Sequence, residues 1–104
     1  MTAIVERMSK LEQSIERAMQ ALHSDGGASP VLAAVVKELE KKLGKALDAI
    51  QGGDATKVRE AVVEVEQAAD SAKAAAEADR GAKEETRAEI IAAHDRICRL
   101  KAGM

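Results

Sequence analysis

Apolar residues recur along this chain at alternating steps of four and three, and that spacing limits the fold more than any other feature. In the first stretch the series is Ile4, Met8, Leu11, Ile15, Ala18 and Leu22. A mean step of 3.5 places all six on one stripe of an α-helix, whereas a strand would alternate inward and outward every residue. Val5 and Met19 lie beside the stripe and are expected to widen it enough to face a bundle rather than one partner helix. Glu6 and Lys10, four apart in the favourable order, are expected to pair along the same helix.

The pattern returns in each later segment. Leu32, Val36, Leu39, Leu43, Ala46 and Ile50 form a second seam, and Ala55, Val58, Val62, Val65, Ala69, Ala72 and Ala76 a third. A fourth seam runs through Thr86, Ile90, Ala93, Ile97 and Leu100, with Met104 at its end. Between the first two, Ser24-Asp25-Gly26-Gly27-Ala28 reads as a loop, Ser29 as an N-cap and Pro30 as the first helical residue. Gln51-Gly52-Gly53 ends the second helix and Asp54 caps the third, a connection short enough to make the two antiparallel neighbours. Gly44 falls outside the seam, where it either admits another backbone or is simply tolerated.

Asp79-Arg80-Gly81-Ala82 leaves two readings. The heptad phase continues across it, which allows one helix over 54–101. Yet polar seam positions coincide there with Gly81, and acidic Glu84 and Glu85 followed by basic Arg96, Arg99 and Lys101 match the dipole of a separate helix. The reading adopted is an all-α, antiparallel four-helix bundle in a single domain, with helices over 2–23, 30–50, 54–78 and 83–101; two shorter helices plus one long helix is the alternative. No internal repeat is evident, and the common phasing is read as helix packing rather than duplication.

Composition narrows the function classes. The chain has no Phe, Tyr or Trp, so it lacks the platforms on which proteins stack nucleobases, and its net charge of −2 argues against an anionic partner. Hydrophobic residues at 46% exclude wholesale disorder. One cysteine, Cys98, admits no intrachain disulfide, and no signal peptide or membrane-length apolar run is visible. The expectation is a cytoplasmic protein with no cofactor, no nucleic-acid partner and no membrane association.

Candidate chemistry is sparse. His94 and Cys98, four apart, project from one helix face and are the candidate metal or redox pair. Set against that is a packed thiol beside a half-exposed imidazole, since His23, the other histidine, belongs at the far end of a bundle. No Glu-x-x-His motif exists, and Glu60, Glu64, Glu66 and Asp70 read as a solvated acidic face. Neither histidine carries the Lys and Gly offsets of histidine phosphotransfer domains. The Gly26-Gly27 and Gly52-Gly53 pairs lack phosphate-loop spacing and read as turns. Met8 and Met19 read as core, and Arg96, Arg99 and Lys101 as complements to a helix dipole.

The weak point is bulk. From Ala68 onward the third seam offers only Ala68, Ala69, Ala72, Ala75 and Ala76, which bury little area each. A homodimer through the third and fourth helices is expected to cover this face. The leading expectation of function is a non-catalytic helical interaction or structural protein acting through a protein partner or self-association. A metal or redox sensor built on His94 and Cys98, and an enzyme whose site is not visible in the sequence, are the alternatives.

Overall fold

The computed structural model describes residues 2–103, with side chains from residue 5 onward. Ile4 and Met104, assigned to the seams above, therefore lie outside the described side chains. Four helices follow in order: α1 (Thr2–Ser24), α2 (Pro30–Gly52), α3 (Ala55–Ala78) and α4 (Glu84–Ala102). Each expected helix is present within two residues of its expected ends, and the single long helix over 54–101 is not formed.

The starts of α2 and α3 are capped as their sequences require. Ser29 accepts a hydrogen bond from Leu32 N at 3.2 Å with Pro30 at the first helical position. Asp54 accepts from Thr56 N at 2.9 Å and Lys57 N at 3.2 Å, relieving two of the unpaired amides at the start of α3. Gly53 ends α2 at φ 76°, a left-handed conformation that side chains resist.

The helices run up and down as a rod with extents of 41 × 20 × 19 Å. α2 packs most extensively on α3, α1 and α3 both pack on α4, and α1 packs least on α2. The α1–α2 and α3–α4 connections meet at one end of the rod. There, Asp25 is 6% exposed and accepts from Lys83 N at 2.7 Å, Thr86 Oγ1 at 2.7 Å and Gly27 N at 2.9 Å. Asp79 does the same in the opposite direction, accepting from Ser29 N at 2.8 Å and Gly81 N at 3.0 Å. Each aspartate thus closes its own turn and anchors the first residues of the other hairpin's second helix. α4, whose N-cap Lys83 has no capping side chain, is capped from a different loop.

This reciprocity exposes a repeat that the sequence reading missed. One interval separates Asp25 from Asp79, Gly27 from Gly81 and Ala28 from Ala82. The same interval carries Met8, Leu11, Ile15, Ala18 and Leu22 onto Val62, Val65, Ala69, Ala72 and Ala76. It carries Leu32, Val36, Leu39, Leu43 and Ala46 onto Thr86, Ile90, Ala93, Ile97 and Leu100, and every one of these positions is buried. The two hairpins are structural copies. Because equivalent Gly27 and Gly81 touch each other, the pseudo-two-fold axis passes between them and along the rod. A Cβ on either glycine would overlap the other's carbonyl oxygen, so both positions exclude a side chain. Gly81 does mark the break expected of it, but through this close approach; Gly53 is the glycine with positive φ among the described residues.

Equivalent positions are related across this axis, and at several of them a large residue of the first hairpin corresponds to a small one of the second. Ile15, Leu22, Leu32 and Leu39 of the first hairpin correspond to Ala69, Ala76, Thr86 and Ala93 of the second. Ala69, Ala72 and Ala76 are fully buried, and Ala68 and Ala75 pack against the core with part of their surface exposed. Three of the five alanines expected at a subunit interface are thus covered within this chain, and Ala68 and Ala75 keep part of their surface exposed.

Candidate functional site

His94 and Cys98 meet as their spacing requires, and α3 supplies a third group that the sequence did not reveal. His94 Nε2 lies 2.8 Å from Asp70 Oδ1, and Nδ1 lies 3.2 Å from Asp95 Oδ1. Cys98 Sγ stands 3.6 Å from Nε2 and 4.0 Å from Nδ1. Asp70 and Cys98 thus approach the same ring nitrogen. A nucleophilic relay needs the carboxylate on one nitrogen and the thiol on the other, so that the imidazole can take a proton while the acid orients it. Here they compete.

The thiol is also poorly prepared for chemistry. Burial pushes Cys98 up from its ordinary value, and the carboxylates of Glu66, Asp70 and Asp95 push it further in the same direction. A neutral thiol is a weak nucleophile and a weak ligand. Among the described residues no group of three or more His, Cys, Asp or Glu is placed to hold a metal ion. His23 is exposed near the loop end of α1, away from Cys98.

The acidic residues of α3 are not merely solvated. Glu64 Oε1 accepts from Lys42 Nζ at 3.0 Å, and Glu66 Oε1 accepts from Lys101 Nζ at 2.6 Å. These bonds hold the Glu64 and Glu66 carboxylates against cations of α2 and α4, raise both lysines and lower Glu64. Lys101 is thereby drawn to the α3 side, away from Arg96 and Arg99. The expected Glu6–Lys10 pair is not among the ion pairs of the described residues; Lys10 lines a groove between α1 and α4 instead.

The least packed edge between neighbouring helices is that of α1 and α2. Two depressions lie in line there, of about 560 and 200 Å³. Met19, Leu22 and Ile15 of α1, with Leu43 and Leu47 of α2, give them an apolar floor. Val5, expected to face the bundle, is 50% exposed and continues the stripe of Glu12 and Met19 along α1. Gly44 lines the lower depression, and a Cβ built on it meets nothing within 4 Å. No neighbouring backbone of this chain explains that glycine. Glu12, Glu16 and Glu40 rim the same depression, and Lys37 and His23 border the other.

Comparison with protein-family models, with curated proteins and with solved structures finds no match to this chain. Among the described residues no helix is long and apolar enough to cross a membrane.

Proposed function

We propose that this protein is a non-catalytic helical interaction module whose α1/α2 edge receives an amphipathic helix bearing lysine or arginine beside its apolar face. The observation that carries the reading is the groove at the least packed edge of the bundle, with its apolar floor, the acidic rim of its lower depression and a glycine open to solvent. An apolar trough between two helices is the shape into which a third helix lays its own apolar stripe. Gly44 lowers one wall of it, and a mid-helix glycine costs about 1 kcal/mol relative to alanine with no packing inside the chain to offset it. Charge selects the occupant. Glu12, Glu16 and Glu40 attract a cationic rim, whereas a two-fold contact between copies centred on this depression would set these carboxylates against their own mates.

Selection from a display library of helix-biased peptides tests this directly. The expected winners carry apolar residues at helical spacing flanked by Lys or Arg, and their binding shifts the amide resonances of Met19, Gly44 and Leu47. Gly44→Leu, which fills the lower depression, is expected to abolish that binding while the chain stays folded. Winners without cations, or winners indifferent to Gly44→Leu, would refute the proposal.

A further inference from the structure

On the opposite flank of α1 the charge reverses. A groove of about 510 Å³ between the start of α1 and the end of α4 is lined by Arg7, Lys10, Arg96 and Arg99 over the edge of Leu100. No carboxylate lines it among the described residues, and none of the four cations makes an ion pair there. Asp95, the one acid between Arg96 and its neighbours on α4, is held at His94 Nδ1 instead. The concentration is local, since the chain as a whole carries a net charge of −2.

A plainer role for these cations is to complement the end of α4. Magnitude decides against that as the whole account. A helix C-terminus presents roughly half a negative charge, and the adjacent N-terminus of α1 presents roughly half a positive one. α1 has no acidic residue in its first turn to offset it. The two helix ends nearly cancel, which leaves the four side-chain charges without a compensating carboxylate among the described residues that line the groove. Arg7 and Lys10 lie in the second and third turns of α1, beyond the reach of its own N-terminal dipole, so that dipole does not account for them.

We propose that this groove binds a compact polyanion bearing several phosphoryl groups. Three arginines provide planar, forked donors suited to phosphate oxygens. The side chains are exposed, and an exposed ion pair contributes little in screening solvent, so a single phosphate makes too few contacts to be held. A chain of linked phosphates engages several cations at once. The volume lies within the range of small-molecule sites, and the absence of aromatic residues offers nothing to stack a nucleobase. The recognised chemistry is the phosphoryl cluster itself, whether on a free polyphosphate or on a multiply phosphorylated lipid headgroup.

Isothermal titration of the full chain with inorganic tripolyphosphate at physiological ionic strength reads the first source. Co-sedimentation with neutral vesicles doped with a bisphosphorylated inositol lipid reads the second. Saturable binding in either arm, weakened roughly tenfold or more by Arg7→Ala with Arg99→Ala, supports the site and names the source. Lys101→Ala, a cation committed to Glu66 on the α3 side, is expected to leave affinity within twofold. Orthophosphate is expected to bind much more weakly than tripolyphosphate. Absence of saturable binding in both arms overturns the proposal. So does binding that survives the double substitution, or that Lys101→Ala reduces as much; circular dichroism confirms that each variant is folded.

Discussion

The two hairpins share a topology, a turn and a register of buried positions, yet they close to different degrees. α3 and α4 pack on each other more extensively than α1 and α2 do. Side-chain size accounts for the difference. Toward the loop end the first hairpin carries Ile15, Leu22, Leu32 and Leu39, whose volume holds α1 and α2 apart. At the equivalent positions the second carries Ala69, Ala76, Thr86 and Ala93, which let α3 and α4 close. Two hairpins that share a register of buried positions but differ in core side-chain size thus have one tight edge and one open edge, and the open edge is the groove proposed for a partner.

The largest test of this contrast lies across the axis. Ile15→Ala is expected to lose about 2–5 kcal/mol by leaving a cavity, and Ala69→Ile about 1–3 kcal/mol by overfilling the opposite side. The two changes together are expected to recover at least about 1 kcal/mol of the summed loss, as read by urea unfolding in a double-mutant cycle. Strict additivity would show that the two positions do not share the core space described.

Next in size is the junction of the two turns. Gly27→Ala is expected to cost about 1–3 kcal/mol, because the new methyl meets the Gly81 carbonyl and backbone cannot step aside as a side chain can. Gly26→Ala, one residue away in open space, is expected to leave the melting temperature nearly unchanged.

The same junction responds to acid. Hydrogen bonds from Lys83 N and then Thr86 hold the Asp25 carboxylate below its ordinary value of 3.8, and that from Ser29 N does the same for Asp79. A carboxylate lowered in the folded state stabilises the fold fully above the ordinary value and loses that contribution as pH falls through the lower folded value. Urea midpoints measured from pH 7 downward are thus expected to hold to near pH 5 and then fall below pH 4. Asp25→Asn is expected to flatten that acid limb, and an unchanged limb would place the acid sensitivity elsewhere.

The smallest effect sharpens the account of the open edge. Gly44→Ala is expected to stabilise the chain by about 0.5–1 kcal/mol, raising the melting temperature by a few degrees, since the added Cβ meets nothing and helix propensity improves. A destabilised variant would mean that Gly44 is needed within the chain rather than by a partner.

Much of the fold was legible in advance. The four-three seams, the Ser29-Pro30 start, the Asp54 cap and the Gly52-Gly53 stop act through neighbouring residues, and each yielded a helix boundary close to the expected one. Thr86 shows where local reading ends: the spacing placed this polar residue on an apolar seam without naming a partner for its hydroxyl, and Asp25, from another loop, accepts from it. Of the candidate site, His94 with Cys98 was readable because one helical turn joins them. Asp70 was not, since its approach depends on the relative height of α3 and α4. The repeat was hidden for a related reason. Packing preserves which positions are buried and the small turn Asp-x-Gly-Ala, and allows nearly everything else to differ.

By itself the sequence determined that the chain forms helices, where they start and stop, and which stripe of each turns inward, because periodicity and capping are properties of neighbours along the chain. The tertiary structure decided what faces that stripe. It covered Ala69, Ala72 and Ala76 within the chain, joined two distant aspartates to the opposite hairpin's helix starts, and set an acidic groove and a basic groove on the two flanks of α1. Those outcomes depend on which surfaces meet across the axis, a relation that no local pattern of residues specifies.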